Sequence, residues 1–170
     1  MNDPQEELLG LLADELREGG VPAIVVPADG AMPAQMVTSI ESTDEQHHLR
    51  VHSYFLPDAD APAVLQHFVT LPYDITFAAL PTAARFICAL NAELPVTGFE
   101  LGERSRAVAF RHTHAVNIRP LDPGVVAWTL AMVSSAVSEL GDLVEAAGGG
   151  ADLDELTTRL QDRLAAVASG

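Results

Sequence analysis

The chain contains no lysine. All nine of its basic residues are arginine, against 24 acidic residues, so the formal net charge is −15. It has no basic stripe of the kind that binds nucleic acid, and neither nucleic acid nor an anionic lipid surface is expected as a partner. The phosphate-binding loop that relies on a lysine is excluded for the same reason.

Cysteine is almost absent as well. A single residue, Cys88, cannot form an internal disulfide, which excludes a disulfide scaffold and agrees with a reducing compartment. It lies in the apolar helical pattern Phe86 to Leu90, which predicts a small buried hydrophobe rather than a nucleophile. No cationic start precedes an apolar run, and no stretch reaches the roughly 18 apolar residues that span a bilayer. We therefore expect a cytoplasmic protein with no membrane partner.

Apolar residues make up 48% of the 170 residues, which is enough for one sizeable core. In four segments they recur at the spacing of an amphipathic helix, and each segment begins or ends at proline, glycine or a capping carboxylate. The predicted helices are Pro4–Glu18, Pro81–Leu94, Asp122 or Pro123 to Ala147, and Leu153–Val167.

The remaining apolar segments have strand character. The predicted strands form an antiparallel pair, Met36–Glu41 and Leu49–Leu56, and a hairpin, Gly98–Glu103 and Arg106–Val116. Ala23–Val26 is apolar enough for a further short strand. The segment Val64–Ile75 permits a strand or a short helix, and we favour a strand that ends near Leu71 and Pro72.

This order predicts an α+β fold in the sequence helix, three strands, helix, two strands, helix. An antiparallel sheet of about five strands would have its helices packed on one face. Residues 1–147 would form the single domain, Gly148 to Gly150 a flexible hinge, and residues 151–170 an accessory C-terminal amphipathic helix. That helix must dock on its own domain, on a second copy or on a partner, because about 15 residues are too few to be stable alone.

Histidine is the one residue type that suggests a ligand site. His112 and His114 alternate along a strand and point the same way, so two imidazoles could share one metal ion. His52, or the pair His47 and His48, could supply a third ligand. The alternative is that these are solvent-facing or hydrogen-bonded histidines with a structural role, because the spacing has low specificity. A metal-binding or small-molecule-binding regulatory domain is accordingly the second functional hypothesis.

No pattern indicates catalysis. There is no nucleophile elbow, and the plentiful carboxylates lie on the outer faces of predicted helices, where their ordinary role is solvation. We predict no catalytic residue, no cofactor and no enzymatic activity.

Apolar surface exceeds what one core explains. Tyr54 and Phe68 lie in strands whose opposite faces are also apolar, and Trp128 and Met132 widen the apolar arc of the long helix. Self-association or binding of a protein partner follows as a hypothesis, and a larger core is its alternative.

Three segments resemble a known family. The chain resembles the bacterial YbjN-like proteins, in which a central helix ending in Leu-Asn leads to a hairpin and a long helix. The segments that carry the resemblance are Phe86–Asn91, Gly98–Leu101 and the apolar strand Ala107–Phe110. The resemblance covers residues 6–147. The family is similar in fold to the type III secretion chaperones, which are small, acidic α+β proteins and typically homodimers.

The resemblance implies a non-enzymatic homodimer that binds a protein client. Asn91 would be a structural residue that caps the helix or bonds backbone, and Gly98 begins the matching segment after it. We expect the dimer seam at the central helix around Phe86 and Leu90, or on the flank of the long helix. The predicted dimer or partner surface comprises Tyr54, Phe68, Phe86, Leu90, Trp128 and Met132.

Overall fold

A computed structural model describes residues 4–40, 49–56, 63–95, 98–117 and 121–168. The helices within these ranges are α1 (Pro4–Glu18), α2 (Leu80–Glu93), α3 (Pro123–Gly149) and α4 (Leu153–Ala168). The strands are β1 (Ala23–Val26), β2 (Gln35–Ile40), β3 (Leu49–Phe55), β4 (Val64–Asp74), β5 (Phe99–Leu101) and β6 (Ala107–Ala115). The predicted α+β class and the order of the elements are confirmed.

The described strands form one antiparallel sheet in the order β1-β2-β3-β4-β6-β5. The sheet thus has six strands rather than about five. The additional strand is β1, a four-residue segment between Pro22 and Pro27 that pairs with β2 from Ala23 opposite Thr38. The segment left open between strand and helix is strand β4, which pairs with β3 on one side and β6 on the other.

The helices pack on one face of the sheet. Val51, Val69 and Phe110 stand side by side across β3, β4 and β6 and are fully buried there. Phe99 on β5 meets Phe110 edge to face, with ring centroids 5.0 Å apart. α3 runs over β4 and β6 and contacts the other three helices, so it is the central element of the helical layer.

Among the described helices, α3 is long and apolar enough to cross a membrane by length and composition alone. Much of its apolar character serves the core, because twelve of its residues are buried. Their burial accounts for one side of the helix only.

α2 corrects two sequence-based predictions. Phe86 and Leu90 are wholly buried in the core of the chain, so neither side chain is available for a dimer seam. Cys88, predicted to be buried, is exposed. Both outcomes follow from helix geometry, since Cys88 lies two residues from both Phe86 and Leu90 and so about 200° around the helix from each of them.

The predicted glycine hinge is the end of α3. Gly148 and Gly149 are helical, and a Cβ at Gly148 would lie 2.5 Å from Cδ1 of Ile75. Gly150 then adopts a left-handed conformation with φ 97°, and its N–H is bonded to Ala146 and Ala147 carbonyls. Only this third glycine needs the conformational freedom, as the residue that terminates the helix.

α4 packs on α2 and α3 of its own chain. Asp152 caps its start by accepting from the backbone N–H groups of Asp154 and Glu155. Leu156 and Leu160 are buried in the common core. The helix therefore packs on its own domain, which is the first of the three alternatives that its amphipathic pattern left open.

Candidate functional site

The outward side of α3 carries an exposed stripe of large apolar side chains. Trp128 is 63% exposed, Val125 on the preceding turn is 48% exposed, and Met132 on the following turn is half-buried. These positions lie three and four residues apart, which places them on one stripe of the helix. We call this stripe, defined by Val125, Trp128 and Met132, the α3 face.

Local sequence fixes where the α3 face begins. Pro123 occupies the first turn, and the Asp122 carboxylate accepts hydrogen bonds from the backbone N–H groups of Gly124 and Val125, at 2.9 and 3.4 Å. This cap satisfies donors that a helix start would otherwise leave unpaired. Trp128 is therefore held one turn inside a well-defined helix rather than on a loop.

The α3 face carries no charge. The 16 residues from Pro123 to Ser138 include no acidic or basic side chain, although the chain as a whole has a net charge of −15. An acidic carboxylate first appears on this helix at Glu139. The molecule therefore presents, on an otherwise strongly acidic protein, one helical surface that an acidic molecule can approach without direct charge repulsion.

An apolar groove continues the α3 face towards α4. It has a volume of about 220 Å³. It is lined by Glu93, Leu94, Pro95, Met132, Ser135, Ala136, Glu139, Leu140, Arg163 and Leu164. Met132 belongs to both surfaces, so the α3 face and the groove form one continuous region.

The wall of the groove is fixed by Arg163. Its guanidinium donates to both carboxylate oxygens of Asp142, at 2.6 and 3.0 Å, and to the backbone carbonyl of Glu139. Hydrogen bonding to Asp142 raises the pKa of Arg163, so this cation remains charged. These bonds fasten α4 to α3 beside the groove.

The other predicted surface residues lie on the opposite side of the molecule, on the sheet face that the described helices leave uncovered. Tyr54 and Phe68 are both half-buried there. The Tyr54 hydroxyl accepts a hydrogen bond from the Gln66 amide, and the Arg111 guanidinium stands 5.5 Å from the Phe68 ring centre. The structure therefore does not bring Tyr54 or Phe68 together with Trp128 and Met132.

Three histidines cluster on the helix-covered side of the sheet. His112 and His114 share a face of β6 as the alternation predicted. His52 does not join them, because it projects to the opposite sheet face, where its Nδ1 lies 2.8 Å from Oε1 of Gln35. The third member is His67 of β4, which stands directly opposite His112 in the register. His47 and His48 lie outside the described residues.

The His67 ring is the centre of this cluster. Its Nε2 is 3.3 Å from Nε2 of His114, and its Nδ1 is 2.8 Å from the Ser53 hydroxyl. The ring centroid of His112 is 6.4 Å from that of His67 and 5.5 Å from that of His114. Nδ1 of His112 is buried and has no hydrogen-bond partner among the described residues.

The surroundings keep these histidines neutral near pH 7. Burial, with a smaller contribution from His114 and His112, lowers the pKa of His67 to about 3. Burial also lowers the pKa of His112, and burial together with His112 lowers that of His114. As they stand, no three His, Cys, Asp or Glu side chains in the described ranges are arranged to hold a metal ion.

His67 carries a signal that sequence reasoning missed. It alternates with Leu65, Val69 and Leu71 along β4, and all four are buried. A histidine that shares one face of a strand with three aliphatic residues is a signal that the sequence itself contains. Its position opposite His112, however, depends on the pairing of strands that are distant in sequence.

Asn91 bonds the backbone at the start of β5. Its amide nitrogen donates to the Phe99 carbonyl, and its amide oxygen accepts from the Phe99 N–H, both at 2.8 Å. Gly98 allows this approach, because a Cβ there would lie 2.0 Å from the Asn91 amide oxygen. The pair joins the last turn of α2 to the edge of the sheet.

The chain matches no protein-family model and no curated protein.

Proposed function

We propose that this protein is a non-enzymatic protein-interaction domain that works as a homodimer, and that two copies associate through the α3 face. The observation that carries the proposal is the exposure of Trp128 on a rigid, uncharged stretch of helix. Exposed aromatic side chains are enriched at the centres of protein interfaces.

A second copy is the occupant that the charge distribution favours. Two chains of charge −15 repel each other over most of their surfaces, and the stretch from Pro123 to Ser138 adds no charge to that repulsion. A two-fold contact also places the same patch on both sides, so one uncharged helical stripe serves both subunits. Covering about 150 Å² of each Trp128 side chain contributes about 4 kcal/mol per subunit before the entropic cost of association.

The dimer agrees with what the resemblance to YbjN-like proteins implies, with the seam on the flank of α3 rather than at Phe86 and Leu90. Membership of that family and binding of a further protein client by the dimer stay predictions.

Sedimentation equilibrium of the unmodified chain tests the proposal. We expect a mass of twice 18.0 kDa at tens of micromolar. Trp128→Glu should give a folded monomer, because the change places a carboxylate at the seam but touches no buried residue.

Phe77→Glu is the matched control. Phe77 is 80% exposed and precedes α2. The neighbouring Thr76 N–H donates to the Gly148 carbonyl near the far end of α3, 20 residues along that helix from Trp128. This variant should remain dimeric. A monomeric unmodified chain, or a Trp128→Glu variant as dimeric as the control, would contradict the proposal.

A further inference from the structure

We propose that His67, His114 and His112 bind one divalent transition-metal ion of the zinc class, independently of the proposed dimer. The site lies on the helix-covered side of the sheet, where β4 and β6 pair. A set of imidazole ligands without thiolate suits zinc, copper or nickel rather than calcium or magnesium.

The first two ligands are already spaced for such an ion. The Nε2 atoms of His67 and His114 are 3.3 Å apart. An ion bound to both at the usual Zn–N length of about 2.05 Å would make an N–Zn–N angle of about 107°, close to tetrahedral, once each ring turns by about 36° so that its Nε2 lone pair meets the ion instead of the other ring. Two imidazole nitrogens at this separation need either a shared proton or a shared cation between them, since two lone pairs would otherwise face each other.

Ser53 supplies the supporting contact that a ligating histidine needs. When its hydroxyl oxygen accepts the Nδ1 proton of His67 across 2.8 Å, the lone pair of His67 is on Nε2 and points at His114. Without metal, Nε2–H of His114 donates to that lone pair. Metal binding requires His114 to move this proton to its own Nδ1, a tautomeric change with no net gain or loss of protons.

His112 completes the set by a side-chain rotation. It stands two residues before His114 on the same face of β6, and its ring now lies parallel to that of His67, at an interplanar angle of 5°. It is half-buried, and its buried Nδ1 has no hydrogen-bond partner among the described residues. Turning this ring towards the other two gives three protein ligands, and water takes the fourth position as in open zinc sites.

Isothermal titration with ZnCl2 tests the site, on untagged, metal-free full-length protein. All variants carry His47→Ala and His48→Ala, which removes two histidines that could bind zinc elsewhere. We expect one zinc ion per chain in this background. His114→Ala should weaken binding by at least tenfold, and Ser53→Ala should weaken it by a smaller factor.

His52→Ala is the matched control, because His52 is on β3 beside Ser53 but projects to the other face. It should bind zinc as the background does. The melting temperature without zinc, measured for each variant, shows whether it is folded. Absence of zinc binding in the background, equal affinity in a folded His114→Ala variant, or an equal loss in His52→Ala would overturn the proposal. If His114→Ala does not fold, the same comparison is made with His112→Ala, whose side chain is half-buried.

Discussion

Asn91 shows how much of this fold depends on single side chains. β5 is an edge strand, and the Asn91 amide makes two hydrogen bonds to the backbone of Phe99 at its start, as a neighbouring strand would. Each such bond contributes about 1 kcal/mol, and leaving a buried backbone group unpaired costs more. The contact requires that position 98 have no side chain.

Gly98→Ala should therefore destabilise the protein. The added Cβ would lie 2.0 Å from the Asn91 amide oxygen and 3.0 Å from Leu94, so Asn91 must move and its two hydrogen bonds to Phe99 must break. We expect a loss of about 2–3 kcal/mol in the free energy of unfolding, measured by urea denaturation.

Gly10→Ala is the control for that measurement. Gly10 lies inside α1, and nothing lies within 4 Å of a Cβ built there. The same substitution should stabilise the protein by about 0.5–1 kcal/mol, because alanine favours the helix. Equal effects at the two positions would show that the hydrogen bonds between Asn91 and Phe99 do not require glycine at position 98.

At the scale of elements, the sequence predicts helix caps and the pairing of strands that follow one another, since the antiparallel β2–β3 pair and the β5–β6 hairpin are both confirmed, but it does not predict the pairing of distant strands. The start of α3 followed from Asp122 and Pro123, whose roles are local. β1, the four-residue segment between prolines that the sequence indicates as a possible short strand, pairs with β2 in the sheet. His67 joins His112 only through the β4–β6 register, which no local pattern contains.

The exposure of Cys88 could also have been predicted from the sequence, although the prediction that it is buried is wrong. The apolar stripe of α2 contains Ala83, Phe86, Ile87 and Leu90, and Cys88 falls outside that spacing. Burial on a helix depends on the position of a residue around the axis, and not on how many of its neighbours in sequence are apolar.

α4 belongs to the common core, and this predicts its contribution to stability. Leu156 is fully buried between α4 and the rest of the chain, so Leu156→Ala should lower the free energy of unfolding by about 2–4 kcal/mol. Urea denaturation followed by circular dichroism measures the effect.

Leu11→Ala, at a position that is 60% exposed on α1, is the control and should change stability by less than about 0.5 kcal/mol. An equally small effect at Leu156, or a separate unfolding transition for α4, would mean that this helix is an independent appendage.

At the scale of the whole molecule, charge and apolar surface are separated. The net charge of −15 opposes non-specific association, while the α3 face offers an uncharged contact that includes the single tryptophan. The sequence indicates surplus apolar surface. It predicts Trp128 and Met132 as interface residues, but it predicts the buried residues Phe86 and Leu90 as interface residues too. It could not separate the two pairs, because both lie on apolar helices and only the packing of α2 under α3 decides which is covered.

Because Trp128 is the only tryptophan, its fluorescence reports directly on the α3 face. We would record the emission maximum of the unmodified protein at concentrations from nanomolar to about 100 µM. The account predicts a blue-shifted maximum at high concentration, as expected of an indole covered by a second copy, and a shift to the red on dilution as the dimer dissociates. The emission of a solvent-exposed indole at every concentration would contradict it.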